Sequence, residues 1–414
     1  MTEPYTPPTL EEFRAALETV HRVTQRTPLE SSRFLANVLG VEQVFVKCEN
    51  LQRTGAYKLR GAYNRLTQLT EAERARGVVA ASAGNHAQGV AFAARELGIK
   101  ATIFMPRGVA LPKLQATRNY GADVRLTGVN VEECLAAANE FSASTGALVV
   151  PPFDDPAVIA GQGTVALEML DTQPQIENLI VPIGGGGLIS GMAAAAKQWA
   201  AENNRPMRVI GVQAENAAPY PVSLAAGKPV TIETRATIAD GIAVARPGNL
   251  NFQVIRDYVD EIVTVSDDEI ASAIVFLLER AKLVVEPAGA AGVAAIIAGK
   301  LSVSGPAATV LSGGNIDPLL LQRVIGHGLA ASHRYLKLRI LLPDRPGQLV
   351  RTAEIVASLD ANVVEVLHTR HATDLPLSDV ELELHIETRG VEHGEAVVKA
   401  LRDAGYAVRV GEKY

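Results

Sequence analysis

A run of four glycines is the first feature of the sequence that could bind a ligand. It stands between the apolar run NLIVPI (178–183) and a helical pattern, and consists of Gly184, Gly185, Gly186 and Gly187, with Leu188 next. The N–H groups of such a turn, together with the positive end of the following helix, can hold a phosphate. The turn lacks a Walker lysine, and Ser190 breaks a GxGxxG pattern, which disfavours NAD. The alternative is a tight turn that binds nothing.

Two further turns rich in Ser, Gly and Asn also follow predicted strands. The first opens a helix and consists of Ser82, Ala83, Gly84, Asn85 and His86. Its free N–H groups could hold a carboxylate, to which Asn85 adds a side-chain amide. By itself, however, the turn is more typical of a plain Ser N-cap than of a binding site, and a single histidine such as His86 is more often structural. The second turn, SGGN (312–315), is a common turn motif when taken alone.

Lys58 is the candidate nucleophile. It lies in TGAYKLRGA (54–62), where apolar residues and glycines surround it. A single lysine is usually a solvated surface residue, and that alternative stays open on the local pattern. A partly buried lysine, in contrast, has a lowered pKa, and its neutral amine can form a Schiff base.

The elements that must position these residues alternate between short apolar runs and helical patterns from about residue 40 to 325. The predicted strands cover 41–47, 77–82, 100–105, 122–128, 178–183, 208–213 and 307–312, and the predicted helices include 55–69, 84–98, 111–121 and 131–145. This alternation predicts an α/β fold with a parallel, doubly wound sheet covered on both faces. Ligands bind at the carboxyl ends of such strands, so the three turns can converge on one crevice.

After about residue 330 the pattern changes. Strands are predicted at 333–342, 362–370, 377–388 and 406–410, and helices at 346–360 and 391–405. The order βαββαβ predicts a ferredoxin-like domain over 335–411.

Composition narrows the class of protein. The 414 residues are 48% hydrophobic and 20% charged, with a net charge of −6, which gives no electrostatic reason to expect nucleic acid or a membrane as partner. Two cysteines do not make a disulfide framework, and the N-terminus lacks the features of a signal peptide. The apolar stretch 283–298 is interrupted by Glu286, Pro287 and three glycines, so it does not read as a membrane span. A cytoplasmic protein is the expectation.

The motifs YKLRGA, SAGNHAQG, PIGGGGL and SGGN occur together in this order. Over residues 10–325 the sequence resembles the fold type II pyridoxal-phosphate enzymes, and within them the threonine ammonia-lyase and serine racemase group. The resemblance implies a two-lobed catalytic domain over 1–328, with a smaller lobe at approximately 50–150. It also implies that Lys58 binds the cofactor as a Schiff base, Asn85 its ring hydroxyl, Gly184 to Leu188 its phosphate and Ser312 its pyridine nitrogen. The turn from Ser82 to His86 would receive the substrate carboxylate.

The same resemblance implies deamination of L-threonine to 2-oxobutanoate and ammonia by β-elimination of water, and of L-serine to pyruvate, in support of isoleucine biosynthesis. Lys58 would be the base at Cα. A serine at the pyridine nitrogen leaves the ring neutral, which favours elimination over transamination. The alternatives are a serine or aspartate racemase, a β-replacement enzyme and a non-catalytic amino-acid sensor. Lys58 argues against the sensor, and Ala83, where racemases of the group have a second serine, argues against the racemase.

The C-terminal segment resembles an ACT domain through LPDRPGQL (342–349). This implies isoleucine or valine as effector, with N–H groups of the turn at Asp344 and Gly347 on the carboxylate and Asn362 on the ammonium group. ACT domains commonly pair, so a homodimer or homotetramer is expected, and a purely oligomerising domain is the alternative. No metal is expected, because 213–219 lacks flanking carboxylates and because His368 and His371, at odd spacing in a strand, would point to opposite faces.

Overall fold

The computed structural model describes residues 5–331, 334–370 and 378–411. The chain forms two compact units that divide between Pro318 and Leu319. The boundary expected from the sequence, after residue 328, lies within the last helix before the C-terminal sheet and remains a prediction.

The secondary structure follows the predicted alternation closely. The strands are β1 (Leu29–Ser31), β2 (Val44–Lys47), β3 (Val78–Ala81), β4 (Ala101–Met105), β5 (Asp123–Leu126), β6 (Leu148–Val149), β7 (Asn178–Pro182), β8 (Arg208–Ala214), β9 (Glu261–Val265), β10 (Ala307–Val310), β11 (Tyr335–Pro343), β12 (Asn362–Thr369), β13 (Asp379–Glu387) and β14 (Ala407–Val410). The helices are α1 (Leu10–Val20), α2 (Arg33–Leu39), α3 (Lys58–Thr67), α4 (Glu71–Arg76), α5 (Asn85–Glu96), α6 (Leu111–Asn119), α7 (Val131–Thr145), α8 (Pro156–Thr172), α9 (Gly187–Glu202), α10 (Pro219–Ala226), α11 (Asn249–Tyr258), α12 (Asp267–Phe276), α13 (Pro287–Ile297), α14 (Pro318–Ala331), α15 (Gln348–Ser358) and α16 (Val391–Asp403).

The first unit contains two sheets. The larger has the strand order β1-β2-β10-β7-β8-β9, and the smaller has the order β5-β4-β3-β6. All pairings are parallel except that of β1 with β2. The doubly wound α/β prediction is therefore confirmed, with the two lobes each built on a sheet of its own.

Local signals explain where several helices begin. Thr9 with Glu12 forms a capping box at α1, and Ser266 with Glu269 forms one at α12. Asp155 caps α8, where it accepts hydrogen bonds from the N–H groups of Ala157 and Val158, and proline follows at the first helical position. The cap therefore fixes the start of α8 directly after the segment 150–155, which joins the smaller sheet to the larger lobe.

The main core lies between the larger sheet and its helices. It includes buried side chains from α1, α8, α9 and the strands β7, β8 and β10. Helices α8, α9 and α13 are buried over most of their length, which explains their long apolar composition. A separate core joins the smaller sheet to α3 and α5. Of the helices in the described ranges, none is both long and apolar enough to cross a membrane.

The second unit contains an antiparallel sheet with the order β12-β13-β11-β14. Helices α15 and α16 supply the apolar side chains Val356, Val397 and Leu401 to a core shared with that sheet. The order βαββαβ confirms the ferredoxin-like prediction.

Candidate active site

The residues predicted to bind a ligand line one cavity of about 300 Å³ in the first unit. The glycine turn follows β7, the turn 82–84 follows β3, and Ser312 follows β10, so each lies at the carboxyl end of a parallel strand. Lys58 is the first residue of α3. The cavity lining includes Lys58, Ser82, Ala83, Gly84, Asn85, His86, Gly184, Gly185, Gly186, Gly187, Leu188 and Ser312. The structure thus brings together every residue predicted for the cofactor and the substrate.

The amine of Lys58 is held at the cavity by a backbone carbonyl. Its Nζ donates a hydrogen bond to the carbonyl oxygen of Pro152 at 2.8 Å and lies 5.3 Å from the centre of the Tyr57 ring. Burial lowers the pKa of Lys58 to about 8, partly opposed by the nearby Glu286 carboxylate. A minor but appreciable fraction of the amine is therefore neutral near physiological pH, and this neutral form is what a nucleophile or base requires.

A buried charged network anchors the helix that carries Lys58. Arg60 is fully buried and donates two hydrogen bonds to Glu49 at 2.8 Å and two to Glu168 at 2.7 and 2.9 Å. Lys47 adds a bond to Glu168 at 2.7 Å, so two cations face two carboxylates. Burial alone would raise the pKa of Glu168, but Arg60 and Lys47 outweigh it and lower the pKa to about 2. We call these four residues the Arg60 network.

The glycine turn is shaped by close packing. A Cβ atom on Gly185 would overlap the ring of Phe153, and one on Gly187 would lie 2.8 Å from the Phe153 Cβ. Gly186 has φ +104°, and the Tyr220 hydroxyl, which donates to the Gly185 carbonyl at 2.9 Å, fills the space beside it. Only glycine suits these positions, and the first N–H groups of α9, which have no partner within the helix, could hold an anion.

The turn before α5 offers its backbone to the cavity. A Cβ on Gly84 would meet nothing within 4 Å except the Lys113 Nζ at 3.9 Å, so the backbone faces open space. The His86 side chain, in contrast, is buried with its Nε2 2.9 Å from the Val150 carbonyl oxygen. Burial, with Lys58 nearby, lowers the pKa of His86 to about 3, so the ring is neutral and donates to that carbonyl. We therefore expect His86 to offer a substrate its backbone N–H group rather than its side chain.

The SGGN turn is joined directly to the segment that precedes Lys58. Tyr57 N–H donates to the Ser312 carbonyl at 3.1 Å, and Gly314 N–H donates to the Gly55 carbonyl at 2.8 Å. The Ser312 side chain is buried beside the cavity. These bonds fix the position of Ser312 relative to Lys58.

Several cavity residues were not predicted from the sequence. Glu286 is buried, and burial together with Asp240 raises its pKa to about 7 against the opposing effects of Lys113 and Asn85. Lys113 and Asp240 form an ion pair of 2.8 Å between α6 and the loop 240–242, and both line the cavity, as does Phe153. The one available signal was Glu286 itself, a carboxylate inside an otherwise apolar stretch.

The predicted effector residues of the second unit do not come together within one chain. Asp344 and Gly347 follow the end of β11, and Asp344 pairs with Arg370 at 3.4 Å. Asn362 pairs with Glu387, which also pairs with Tyr335 at the start of β11. The two ends are eight residues apart along the strand, roughly 25 Å at about 3.3 Å per residue. The effector site, which was expected at a subunit interface, therefore stays a prediction, and within one chain Asn362 lies at the end of the sheet opposite Asp344.

Across 5–331, 334–370 and 378–411, no three or more His, Cys, Asp or Glu side chains form a group that could hold a metal ion. His368 lies in β12, and His371 lies outside the described residues.

Comparison with known proteins agrees with this geometry. A family model described as "Pyridoxal-phosphate dependent enzyme" matches residues 20–313. The L-threonine ammonia-lyase of Thermotoga maritima is 49% identical over 403 residues, which is 97% of this chain and 99% of that protein. Among solved structures, the processed form of threonine deaminase isoform 2 from Solanum lycopersicum has a TM-score of 0.71 at 36% identity, over 77% of this chain and 95% of that one. Maize serine racemase has a TM-score of 0.72 at 36% identity, over 80% of this chain and 100% of that one.

Proposed function

The chain belongs to the family of pyridoxal-phosphate-dependent enzymes, and from that premise we propose that it is a threonine ammonia-lyase, which converts L-threonine to 2-oxobutanoate and ammonia. The observation that carries the proposal is the buried amine of Lys58, whose pKa is lowered, at a cavity that the glycine turn, Ser312 and the start of α5 also line. The nearly full-length similarity to the L-threonine ammonia-lyase of Thermotoga maritima supports threonine as the substrate.

The residues around the cavity fit pyridoxal phosphate. Lys58 supplies an amine for its aldehyde, the N–H groups of the glycine turn and of α9 supply a phosphate site, and Asn85 and Ser312 supply polar groups for the ring. A side chain at Gly185 or Gly187 would displace Phe153 and distort that phosphate site. When bound, the cofactor supplies an electron sink that makes the Cα–H bond of an amino acid acidic.

The protein's own part in the reaction is binding, orientation and proton transfer. The N–H groups at the start of α5 hold the substrate carboxylate, and Gly84 leaves room for it beside Lys113. Lys58, as a neutral amine, removes the Cα proton and returns it to the β-hydroxyl, which leaves as water. The released enamine then hydrolyses to 2-oxobutanoate and ammonia. The Ser312 hydroxyl would donate a hydrogen bond to the ring nitrogen without protonating it, which would favour elimination.

A serine racemase is the second candidate, because the maize enzyme has a similar structure. Racemisation needs a proton donor on the substrate face opposite Lys58. Ala83 lines the cavity but carries no proton to donate. We therefore place racemisation well below elimination.

Finer features of the function rest on the same family resemblance. We infer that L-serine is also deaminated, to pyruvate, since it differs from threonine by one methyl group and has the same leaving group. The second unit is proposed to be an ACT domain that binds isoleucine or valine, in a pathway that leads to isoleucine. Because Asp344 and Asn362 lie at opposite ends of one sheet, such a site would take Asn362 from a second copy in a homodimer or homotetramer. Two buried free thiols, Cys48 and Cys134, are consistent with a cytoplasmic protein.

The test combines an assay with a covalent label. Purified protein is mixed with L-threonine and 2-oxobutanoate is measured, while borohydride reduction followed by peptide mapping locates the cofactor. We expect 2-oxobutanoate and a label on Lys58, both lost in Lys58→Ala. Lys113→Ala is the matched control, because Lys113 also lines the cavity, and it should retain the label on Lys58. A label on another lysine, or D-serine as the main product from L-serine, would overturn the proposal.

A further inference from the structure

Three side chains form a continuous chain of hydrogen bonds beside the cavity. The Asn315 Nδ2 donates to the Thr54 carbonyl oxygen at 2.7 Å and to the Asn85 Oδ1 at 2.8 Å. The Asn85 Nδ2 in turn donates to the Glu286 Oε1 at 2.6 Å. The backbone N–H of Asn315 also bonds to Glu286, which closes the chain into a ring. We call Asn315, Asn85 and Glu286 the amide relay.

The direction of the relay is fixed at one end by a group that cannot donate. The Thr54 oxygen is a backbone carbonyl, so Asn315 must present its NH₂ group there, and the second hydrogen of that group points to Asn85. Asn85 must then present its oxygen to Asn315 and its NH₂ group to Glu286. The hydrogen bond between Asn315 and the Thr54 carbonyl therefore sets the orientation of the Asn85 amide, although Asn85 takes no part in that bond.

The fold leaves room for the relay at two glycines. A Cβ on Gly313 would overlap the Glu286 carboxylate and lie 2.9 Å from the Asn85 Nδ2. A Cβ on Gly55 would overlap the Asn315 amide. Both glycines lie in the turns that meet at the Ala56–Gly313 bridge, so the relay is built into the junction between the Lys58 segment and the SGGN turn.

The relay determines what Asn85 can offer to a ligand. One hydrogen of its NH₂ group is bound to Glu286 and its oxygen is bound to Asn315, so its remaining donor is the second N–H. Both Asn85 and Glu286 line the cavity. A donor of this kind stabilises an ionised oxygen on a bound ligand more than a protonated one.

We propose that Asn315 and Glu286 are positioning residues that hold Asn85 with its free N–H toward the cofactor, where it donates to the ring hydroxyl oxygen and favours the ionised form. This inference rests on the proposed function. It assigns to Asn315 and Glu286 a role that acts through the orientation of Asn85. Asn315 acts from the far side of Asn85, and Glu286 receives the bond that completes the relay.

The test reverses one link of the relay with an isosteric change. In Asn315→Asp a carboxylate oxygen replaces the Nδ2 and faces two acceptors, so the Asn85 amide must turn over and lose its free N–H toward the ring. We expect the absorption of the bound cofactor to shift toward the protonated-hydroxyl band. We also expect the apoprotein to bind pyridoxal phosphate about 10-fold or more weakly in a fluorescence titration. Asn315→Ala, which removes the support without reversing it, should give a smaller change of the same sign.

Asn178→Asp is the matched control. Asn178 is buried, more so than the partly buried Asn315, and its Nδ2 donates to the Ser304 carbonyl at 2.7 Å at the start of β7, away from the turns that form the cavity. We expect Asn178→Asp to lose about as much thermal stability as Asn315→Asp, but to keep the wild-type cofactor spectrum and the wild-type affinity for pyridoxal phosphate. Glu286→Gln can still accept the bond from Asn85 through its own amide oxygen, so its spectrum should stay closer to wild type than that of Asn315→Asp.

The outcomes separate this inference from the proposed function. Wild-type spectrum and affinity in both Asn315 variants, or an equal spectral shift in Asn178→Asp, would refute the positioning role while Lys58 still carried the cofactor. Failure of the wild-type protein to bind pyridoxal phosphate at all would instead refute the proposed function.

Discussion

Removing the Arg60 guanidinium should destabilise the first unit far more than removing an exposed arginine. Arg60 is fully buried, and in Arg60→Met the carboxylates of Glu49 and Glu168 would keep only Lys47 as a cationic partner among the four residues of the network. Breaking a buried ion pair in this way costs about 3–5 kcal/mol. The lowered pKa of Glu168 supports that size: the difference between 4.5 and about 2 corresponds to about 3 kcal/mol.

The expected change in melting temperature follows from the size of the unit. With 318 residues and about 2.1 cal/mol/K of unfolding entropy per residue, a loss of 3–5 kcal/mol lowers the melting temperature by roughly 4–7 °C.

The direction in which pH changes the stabilisation from Glu168 is also defined. The folded pKa of Glu168 lies below its unfolded value, so the stabilisation is present above about pH 4.5 and is lost as the pH falls toward 2.

The melting temperature of the apoprotein can be measured by circular dichroism, and two further variants serve as comparisons. Arg14→Met removes an exposed pair with Glu202 and should change stability by at most about 1 kcal/mol. Arg60→Met/Glu49→Gln leaves one cation and one carboxylate, so it should be more stable than Arg60→Met although it has lost more charges. The reasoning fails if Arg60→Met is as mild as Arg14→Met, or if the double variant is the less stable of the two.

Three further predictions concern the site and its regulation. Because burial lowers the pKa of Lys58 to about 8, the rate at which apoprotein captures pyridoxal phosphate should rise with pH and reach half its maximum near pH 8; a midpoint above about 9.5 would contradict this. Ser312→Ala should retain the cofactor but slow 2-oxobutanoate formation by roughly 10–1,000-fold, and unchanged turnover would mean that the ring nitrogen has another partner. Isoleucine or valine should shift the threonine saturation curve roughly 5–150-fold, less so in Asp344→Ala, and a curve that neither amino acid moves would leave the second unit without this effector role.

Much of the fold could be predicted because local patterns carry it. The apolar runs of β3, β4, β7, β8 and β10 are short, buried and bounded by turn residues, and the helices between them have long buried faces. The strands β1, β6 and β9 were not predicted. The first two have only three and two residues, which is too short to show a periodicity. Their places are decided by hydrogen bonds to β2 and β3, which lie outside these short segments.

The effector residues show what sequence order alone does not determine. Asp344, Gly347 and Asn362 are close in the sequence and were expected to contact one ligand at a subunit interface, which stays a prediction. Helix α15 intervenes and returns the chain to the opposite end of the sheet, so β12 begins level with the start of β11 rather than with its end. Which end of a strand a residue occupies is set by strand pairing, which sequence order alone did not settle here.

The sequence by itself determined the chemistry of the site: an amine at Lys58, a glycine turn for an anion, and polar turns after parallel strands. These signals are local, because they depend on residue type and on position relative to a strand end. Only the tertiary structure decided which residues contact these groups and so set their pKa values and orientations. The Lys58 amine meets the Pro152 carbonyl from 94 residues away, and Asn85 meets Glu286 from 201 residues away. A pKa and the orientation of an amide depend on burial and on such distant contacts, and therefore exist only once the chain has folded.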